Sequence, residues 1–394
     1  MVAAGGAGAR RDERPLRVLW LVKGLGIGGA ERLLVAAAGA HDRAAFAIEA
    51  AYVVPAKAQL VGDLEAKGVA VTCLGGGRRG AWVPRLRALV ASGRFDVVHA
   101  HSPLVAGVAR LATRTVPLRR RPLVVTTEHN GWSTFALPTR LLNAVTVALD
   151  DATIAVSEES RASMWWPRTR RRTAVVSHGI DLAEVRAAAR HGGAVRRELG
   201  IGDDEVVAVT VANYREQKAW PDLLAAARTV IDRGIPVRFV TVGQGPLEAE
   251  ITALHGRLGL GERVLLLGRR DDVPRILAAA DLFVLASTYE GKPLAVMEAL
   301  GAGVPVVATA VGGTIEAVDS ANGVLVPPNR PDLLADAVAR LATDPVERAR
   351  LAAGAAASGD TYDVSVTVRV AEDLYRRVVA GRRVGRPEPD APVK

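Results

Sequence analysis

The sequence predicts an α/β protein of two doubly wound, parallel-sheet domains facing each other across a cleft. Three observations lead there. The chain has 394 residues, which suits two domains at roughly 100–200 residues each. Short apolar runs alternate along its length with Ala/Leu/Arg segments of helical period, the pattern of parallel strands covered by helices on both faces. The alternation also falls into two series, separated by the polar, basic stretch 181–204 with Gly192, Gly193 and Gly202.

In order, the first series places strands at 18–22, 47–54, 69–74, 97–100, 124–127, 152–156 and 174–177. The second places them at 206–211, 237–242, 264–267, 282–285, 304–308 and 323–326, with helices such as 223–233 and 274–280 between them. The domains are expected at 15–185 and 195–363. Residues 1–14 read as a disordered leader, and the Arg/Pro/Asp-rich residues 381–394 as a disordered tail. Arg10-Arg11 precede an apolar run, but that run ends at Lys23, too short for a signal peptide. No stretch approaches the roughly 20 apolar residues of a membrane span.

Composition narrows the function. With 49% hydrophobic and 24% charged residues, the chain is not mainly disordered. Cys73 is its single cysteine, so it has no internal disulfide and no Cys-rich zinc site, and a reducing compartment such as the cytoplasm fits. The net charge of +9 admits nucleic acid, an anionic membrane surface or a phosphorylated ligand. Because the charge is dispersed and no nucleic-acid-binding module is present, nucleic acid is set aside. Six of the 51 basic residues are lysines, which draws attention to Lys218 and Lys292.

Ligands of doubly wound sheets bind beyond the carboxyl ends of the strands, so the residues just after strands are the informative ones. After the first strand, Gly24, Gly26 and Gly29 match G-x-G-x-x-G. That pattern admits a phosphate cradle, a dinucleotide fingerprint or a plain tight turn. The dinucleotide reading needs an acid at the end of the second strand, and the only candidate, Glu49, sits inside it.

The segment 281–308 carries more. It reads as strand, loop, helix and strand, with Pro293 opening the helix and Gly303 closing it. Glu290 and Glu298 lie eight residues apart, about two turns along the helix axis on nearby sides. Glu290 precedes the helix and can project into the cleft. Glu298 sits on an apolar helix, where a carboxylate needs a hydrogen-bonding partner. Between them the helix N-terminus suits a diphosphate. One acid for a sugar, one for a ribose and a helix end for phosphates describe a nucleotide-sugar site; two acids in ordinary salt bridges are the plainer reading.

The same segment resembles the E-x7-E signature of the retaining nucleotide-sugar glycosyltransferases of family 4. Other motifs agree. Gly28-Gly29-Ala30-Glu31-Arg32 resembles that family's GGAER loop. Residues 176–181 resemble its inter-domain turn, with His178 where Asn is usual. Residues 214–218, ending in Lys218, are similar to its phosphate-binding motif. Gly243-Gln244-Gly245-Pro246, 267–274, Val311-Gly312-Gly313 and 323–327 fit as well. The resemblance covers residues 17–380, and the order and spacing of the motifs are highly specific.

The resemblance implies the GT-B fold of two Rossmann-like domains, with the nucleotide sugar held mainly by the second and a final helix, about 364–380, crossing back to the first. It implies that Arg215 and Lys218 neutralise the departing diphosphate, that Glu290 holds the donor sugar and that Glu298 holds the ribose. The stretch Gly291, Lys292, Pro293, Leu294 would face phosphates or sugar, with Gly28, Gly29, Gly243, Gly245 and Arg269 completing the donor site. His129 would orient the donor sugar in a front-face reaction in which the leaving phosphate takes the acceptor proton; His101 could also face the cleft. Two departures stand out: Asn213 replaces the family's usual arginine, and Lys292 stands where phenylalanine is frequent. No D-x-D motif is present, so the expectation is a metal-independent transferase with no cofactor. Its acceptor would be a glycan, a lipid-linked sugar or a small molecule. A nucleotide-sugar 2-epimerase or phosphorylase of the same fold, an NAD-dependent oxidoreductase and a non-catalytic binding protein are the alternatives.

One segment points to a membrane. Residues 161–172 place Trp165 and Trp166 among five arginines, and Arg119-Arg120-Arg121 lie in the same domain. Tryptophan suits the headgroup region and arginine is drawn to anionic lipid. A reversible, salt-sensitive association with the inner membrane face is expected; a solvated basic loop with inward tryptophans is the alternative.

Overall fold

The computed structural model describes residues 14–381 apart from Arg79, His178 and Lys292. Residues 1–13 of the expected leader, 382–394 of the expected tail, the His178 variant of the inter-domain turn and the Lys292 contact therefore lie outside the described residues, whereas Arg14, expected in the leader, pairs with Asp96 at 2.8 Å.

All thirteen expected strands form. In the first domain they are β1 (Leu16–Val22), β2 (Phe46–Tyr52), β3 (Ala70–Cys73), β4 (Val97–Ala100), β5 (Leu123–Glu128), β6 (Ala152–Ala155) and β7 (Thr173–Val175). In the second they are β8 (Val206–Val211), β9 (Val237–Val242), β10 (Val264–Leu266), β11 (Leu282–Leu285), β12 (Val306–Thr309) and β13 (Gly323–Val326). The first sheet runs β3-β2-β1-β4-β5-β6-β7 and the second β10-β9-β8-β11-β12-β13. Every strand pair in both is parallel. The central strands are largely apolar and buried on both faces, as parallel sheets require, with His99 on β4, Thr127 on β5 and Thr210 on β8 among the buried polar exceptions. The helices expected at 223–233 and 274–280 are Trp220–Asp232 and Val273–Leu277.

The stretch 181–204, expected as a linker, is mostly helical: Leu182–Ala187, Ala188–His191 and Gly192–Glu198. Ile180, Leu182, Val185 and Val195 join the core of the second domain. The first domain was expected to reach residue 185, but its chain leaves after β7, near residue 179. These short helices bury one side only, so their arginines and glutamates dominate the sequence.

The final helix, Val364–Val379, returns to the first domain. Leu374, Tyr375 and Val378 sit in that domain's core, and the Glu372 carboxylate accepts a hydrogen bond from the Asp42 amide at 2.8 Å. The outgoing and returning chains run side by side and pair through their backbones at Ile180. The Ile180 amide donates to the Tyr362 carbonyl at 2.7 Å, and the Val364 amide to the Ile180 carbonyl at 2.8 Å. Gly179 is required there, because a Cβ would stand 2.3 Å from the Val364 Cα. Among the described residues, no helix is long and apolar enough to cross a membrane.

Candidate active site

Strand order reverses between β1 and β4 in one sheet and between β8 and β11 in the other. At such a switch point successive loops leave in opposite directions and open a crevice at the carboxyl ends of the strands. Here the two crevices face each other. Three adjoining hollows fill the space. One of about 240 Å³ is lined by Lys218, Gly243, Arg269, Glu290, Pro293 and Glu298. One of about 370 Å³ lies between His101, His129, Glu290 and Gly291. One of about 720 Å³ is bordered by Arg32, Asp181, Glu184, Arg269 and Glu298. Leu294 lines all three.

The loop after β11 is pinned from several sides. Glu290 is buried at 5% exposure. Its Oε1 accepts hydrogen bonds from Ser287 Oγ and Lys218 Nζ, each at 2.5 Å. Its backbone carbonyl accepts from the Gly313 amide at 3.0 Å. Gly312 makes that approach possible: it has φ +43°, and a Cβ would stand 1.8 Å from the Glu290 carbonyl oxygen. A buried carboxylate is costly unless paired and hydrogen-bonded, and here both conditions are met.

Lys218 ends the short turn Glu216–Lys218. The next residue, Ala219, adopts the left-handed conformation at φ +45°, which costs a non-glycine residue about 1–2 kcal/mol. The turn is held by its neighbours. Trp220 Nε1 donates to the Asn213 carbonyl at 3.0 Å, Tyr214 and Trp220 pack edge to face at 4.6 Å, and the Thr288 amide donates to the Gln217 carbonyl at 2.9 Å. A fixed ammonium group thus lies beside Glu290.

The helix Leu294–Gly301 begins one residue later than expected, with Pro293 as its N-cap. Its first bonds run from the Val296 and Met297 amides to the Pro293 carbonyl. The amides of Leu294 and Ala295 have no intrahelical acceptor and lie at the hollow that also holds Lys218. Glu298, partly buried on this helix, has its pKa raised to about 7, chiefly by burial; nearby Glu184 raises it further and Arg32 opposes.

The first domain supplies the opposite wall. Gly28 caps the helix Gly29–Ala40, and a Cβ on Gly29 would stand 3.1 Å from Leu294 Cδ1, so this loop abuts the second domain. A Cβ on Gly291 would lie 3.4 Å from the His129 carbonyl oxygen. His129 Nε2 is 3.4 Å from His101 Nδ1, and the rings of His101 and His99 stack at 4.0 Å. Burial lowers the His129 pKa to about 4, so its imidazole is neutral at physiological pH. His99 lies deeper, between Tyr375 Oη at 2.6 Å and Thr127 Oγ1 at 2.7 Å.

The geometry gathers His129, Lys218, Glu290, Glu298, Gly28, Gly29, Gly243, Arg269, Gly291, Pro293 and Leu294 around one space. Two candidates stand apart. Arg215 is exposed and lines none of these hollows, whereas Asn213 does. Gly245 serves packing: a Cβ there would lie 2.5 Å from the Tyr214 carbonyl oxygen. Arg32 and Arg270 were missed as site residues, although Arg32 belongs to the GGAER motif; both line the hollow with Lys218. Arg269 is paired to Asp271 at 2.9 Å. Glu49, the acid that the dinucleotide reading needed, is engaged by Arg94 at 2.7 Å.

Comparison with known proteins finds relatives along both domains. Residues 27–184 match the family described as Glycosyltransferase Family 4, and residues 205–344 match the glycosyl transferases group 1. The D-inositol 3-phosphate glycosyltransferase of Salinispora tropica is 31% identical over 329 residues, covering 77% of this chain and 68% of that protein. The Escherichia coli UDP-Gal:alpha-D-GlcNAc-diphosphoundecaprenol alpha-1,3-galactosyltransferase is 28% identical over 277 residues, covering 66% of this chain and 69% of that one. Among solved structures, Anabaena HepE in complex with UDP and glucose superposes with a TM-score of 0.80 at 22% identity, covering 91% of this chain and 99% of that one. The fold is GT-B, and the chain belongs to the group 1 glycosyltransferases of family 4.

Proposed function

We propose that this glycosyltransferase moves a hexose from a UDP-sugar or GDP-sugar to an acceptor bound on the first-domain side, with retention of anomeric configuration and without a metal. The observation that carries the reading is the meeting, in one hollow, of the Lys218–Glu290 pair, the open amides of the helix Leu294–Gly301 and the Glu298 carboxylate. A relative that uses UDP-Gal and a neighbour crystallised with UDP and glucose support a uridine donor.

In this reading the diphosphate lies at the helix N-terminus, where the amides and the Lys218 ammonium meet charge that grows as the sugar–phosphate bond breaks. Arg269 and Arg270 add cations on the side where Asn213 replaces the family's arginine. Glu298 accepts from the ribose hydroxyls and Glu290 from the sugar. The leaving phosphate takes the acceptor proton. His129, kept neutral by burial, orients the donor sugar through its ring or its carbonyl and is not the base. The glycine loop 28–29 closes over the donor from the first domain. The acceptor is a glycan, a lipid-linked sugar or a small molecule, reached in the cytoplasm.

The test is incubation with a panel of UDP-, GDP- and ADP-hexoses and candidate acceptors. Product mass, the anomeric configuration by NMR, and activity with and without EDTA are read. Inverted product, EDTA loss restored by magnesium or manganese, or epimerised free donor would each overturn a stated part.

A further inference from the structure

The face of the first domain beside the cleft carries apolar side chains that a soluble surface does not need. On the helix Leu137–Thr146, Leu137, Leu141 and Val145 are 60%, 49% and 73% exposed. Their spacing of four residues puts them in one stripe. The opposite side of that helix is fixed inward. Asn143 and Ala144 are buried, and Leu142 packs so closely on the neighbouring helix Pro103–Arg114 that a Cβ on Gly107 would lie 2.5 Å from it. Trp166 extends the stripe. It is 51% exposed, yet its Nε1 donates to the Ala144 carbonyl at 2.7 Å, which holds the ring against this helix. Trp165 is 42% exposed, and its ring packs near that of buried Trp132. Met164 is the residue of this segment that turns inward. The sequence alternative with both tryptophans packed inward is therefore not what the chain adopts.

Arginine predominates along the two stretches that carry this stripe, with the exposed acids Asp151, Glu158 and Glu159 lying at their ends. Between residues 129 and 149, and again between 160 and 180, the sequence has no acidic residue. Arg168, Arg171 and Arg172 are exposed on and beside the short helix Pro167–Arg172, and Arg119 and Arg120 are exposed beyond the neighbouring helix. An exposed apolar stripe with tryptophans at its edge and a rim of arginines complements an anionic bilayer surface, where aromatic rings sit among headgroups and arginines meet lipid phosphates. A protein partner recognising such a rim would need its own acidic collar, and nothing in the stripe itself selects one.

We infer that this face docks the protein, without insertion of a spanning segment, on an anionic membrane surface, with Leu137, Leu141, Val145 and the two tryptophans entering the headgroup layer. The same elements reach the cleft. Pro103, at the start of the neighbouring helix, and Phe135, two residues before Leu137, line the hollow that holds His129. Docking therefore sets the acceptor side of the cleft at the headgroup layer, within reach of a lipid-linked acceptor. This last clause rests on the proposed transferase reading; the docking does not.

The experiment is co-sedimentation of the full chain with vesicles of phosphatidylcholine alone or mixed with phosphatidylglycerol, at low and high salt. Leu141→Glu/Val145→Glu and Arg171→Ser/Arg172→Ser variants are run alongside. Circular dichroism and size-exclusion elution are read in parallel. Wild type should pellet with the anionic vesicles and be released by salt, and each variant should bind at least tenfold more weakly while keeping its fold and its nucleotide binding. Equal pelleting with neutral vesicles, no pelleting at low salt, or variants that bind as wild type overturn the inference. So does a wild-type dimer that the Glu variant converts to monomer without vesicle binding, which would make the face an interface between copies. A wild type that binds the vesicles but shows no transferase activity would instead count against the transferase reading.

Discussion

The two walls of the cleft solve different problems with different chemistry. The second-domain wall holds charge: Lys218 and Glu290 lie 2.5 Å apart, and Glu298 stands near an arginine. On the first-domain wall the deep histidines are neutral, because burial keeps the His129 and His99 imidazoles from taking a second proton, while Arg32 brings a cation toward Glu298. Charge is useful where charge develops in a reaction, and neutral donors and acceptors where a polyhydroxyl group must be held without being ionised. In the proposed function the leaving group belongs to one wall and the orientation of the sugar to the other.

Four substitutions test that division. The largest effect is expected for Lys218→Ala. It removes the cation proposed to meet the leaving group and leaves Glu290 buried with Ser287 as its remaining side-chain partner among the described residues. By analogy with the loss of one preorganised stabilising group, kcat should fall about 10²–10³-fold with a smaller change in donor KM. A raised KM at normal kcat would place Lys218 in ground-state binding only.

Gly312→Ala comes next. It adds a Cβ into the Glu290 carbonyl at a left-handed φ, so the loop must move and stability should drop by about 1–3 kcal/mol. Urea denaturation would read the loss. If activity survives at full strength, the position of Glu290 is not critical.

Glu298→Ala should weaken nucleotide-sugar binding by about 1.5–3 kcal/mol, the size of a lost hydrogen bond to a charged group, and leave the fold intact. The wild type should also show a pH signature. Burial raises this acid to about 7, while ribose hydroxyls favour its carboxylate form. Binding therefore expels a proton below about pH 7, so affinity should fall on acidification and level off above that pH. Calorimetry with a nucleotide sugar, whose diphosphate does not titrate in this range, would show the slope, and Glu298→Ala should abolish it. A slope that persists in the variant belongs to another group.

The smallest effect is expected for His129→Ala, at about 0.5–1.5 kcal/mol for one neutral hydrogen bond. With its pKa lowered to about 4, His129 should contribute no inflection to the rate above about pH 5. A large loss with an inflection near pH 6.5 would make it a proton-transfer group and undo the contrast between the walls.

Much of this was legible in the sequence. The strands were found because parallel strands buried on both faces are continuous apolar runs, and the return helix was placed at 364–380 against an observed Val364–Val379. Glu290 was legible through its place between a strand and a helix. Other features were not, because they depend on distant chain segments. Glu298 has its neighbours Arg32 and Glu184 from other elements, each far away in sequence. Nothing in residues 212–218 says that Arg215 turns outward while Asn213 faces the cleft. The exposed stripe on the helix Leu137–Thr146 looks, as a pattern, like any buried helical face; only packing shows that its other side is already taken.

The return of the final helix has a consequence for how the molecule is made. Leu374, Tyr375 and Val378 complete the interior of the first domain, and Tyr375 is the partner of His99. A nascent chain emerging from the ribosome thus cannot finish its first domain when residue 176 appears. It must hold that domain incomplete while the whole of the second is synthesised, and the last segment then locks both at once. A truncation before residue 364 would remove part of the amino-terminal half's own interior, although the cut lies at the opposite end of the polypeptide.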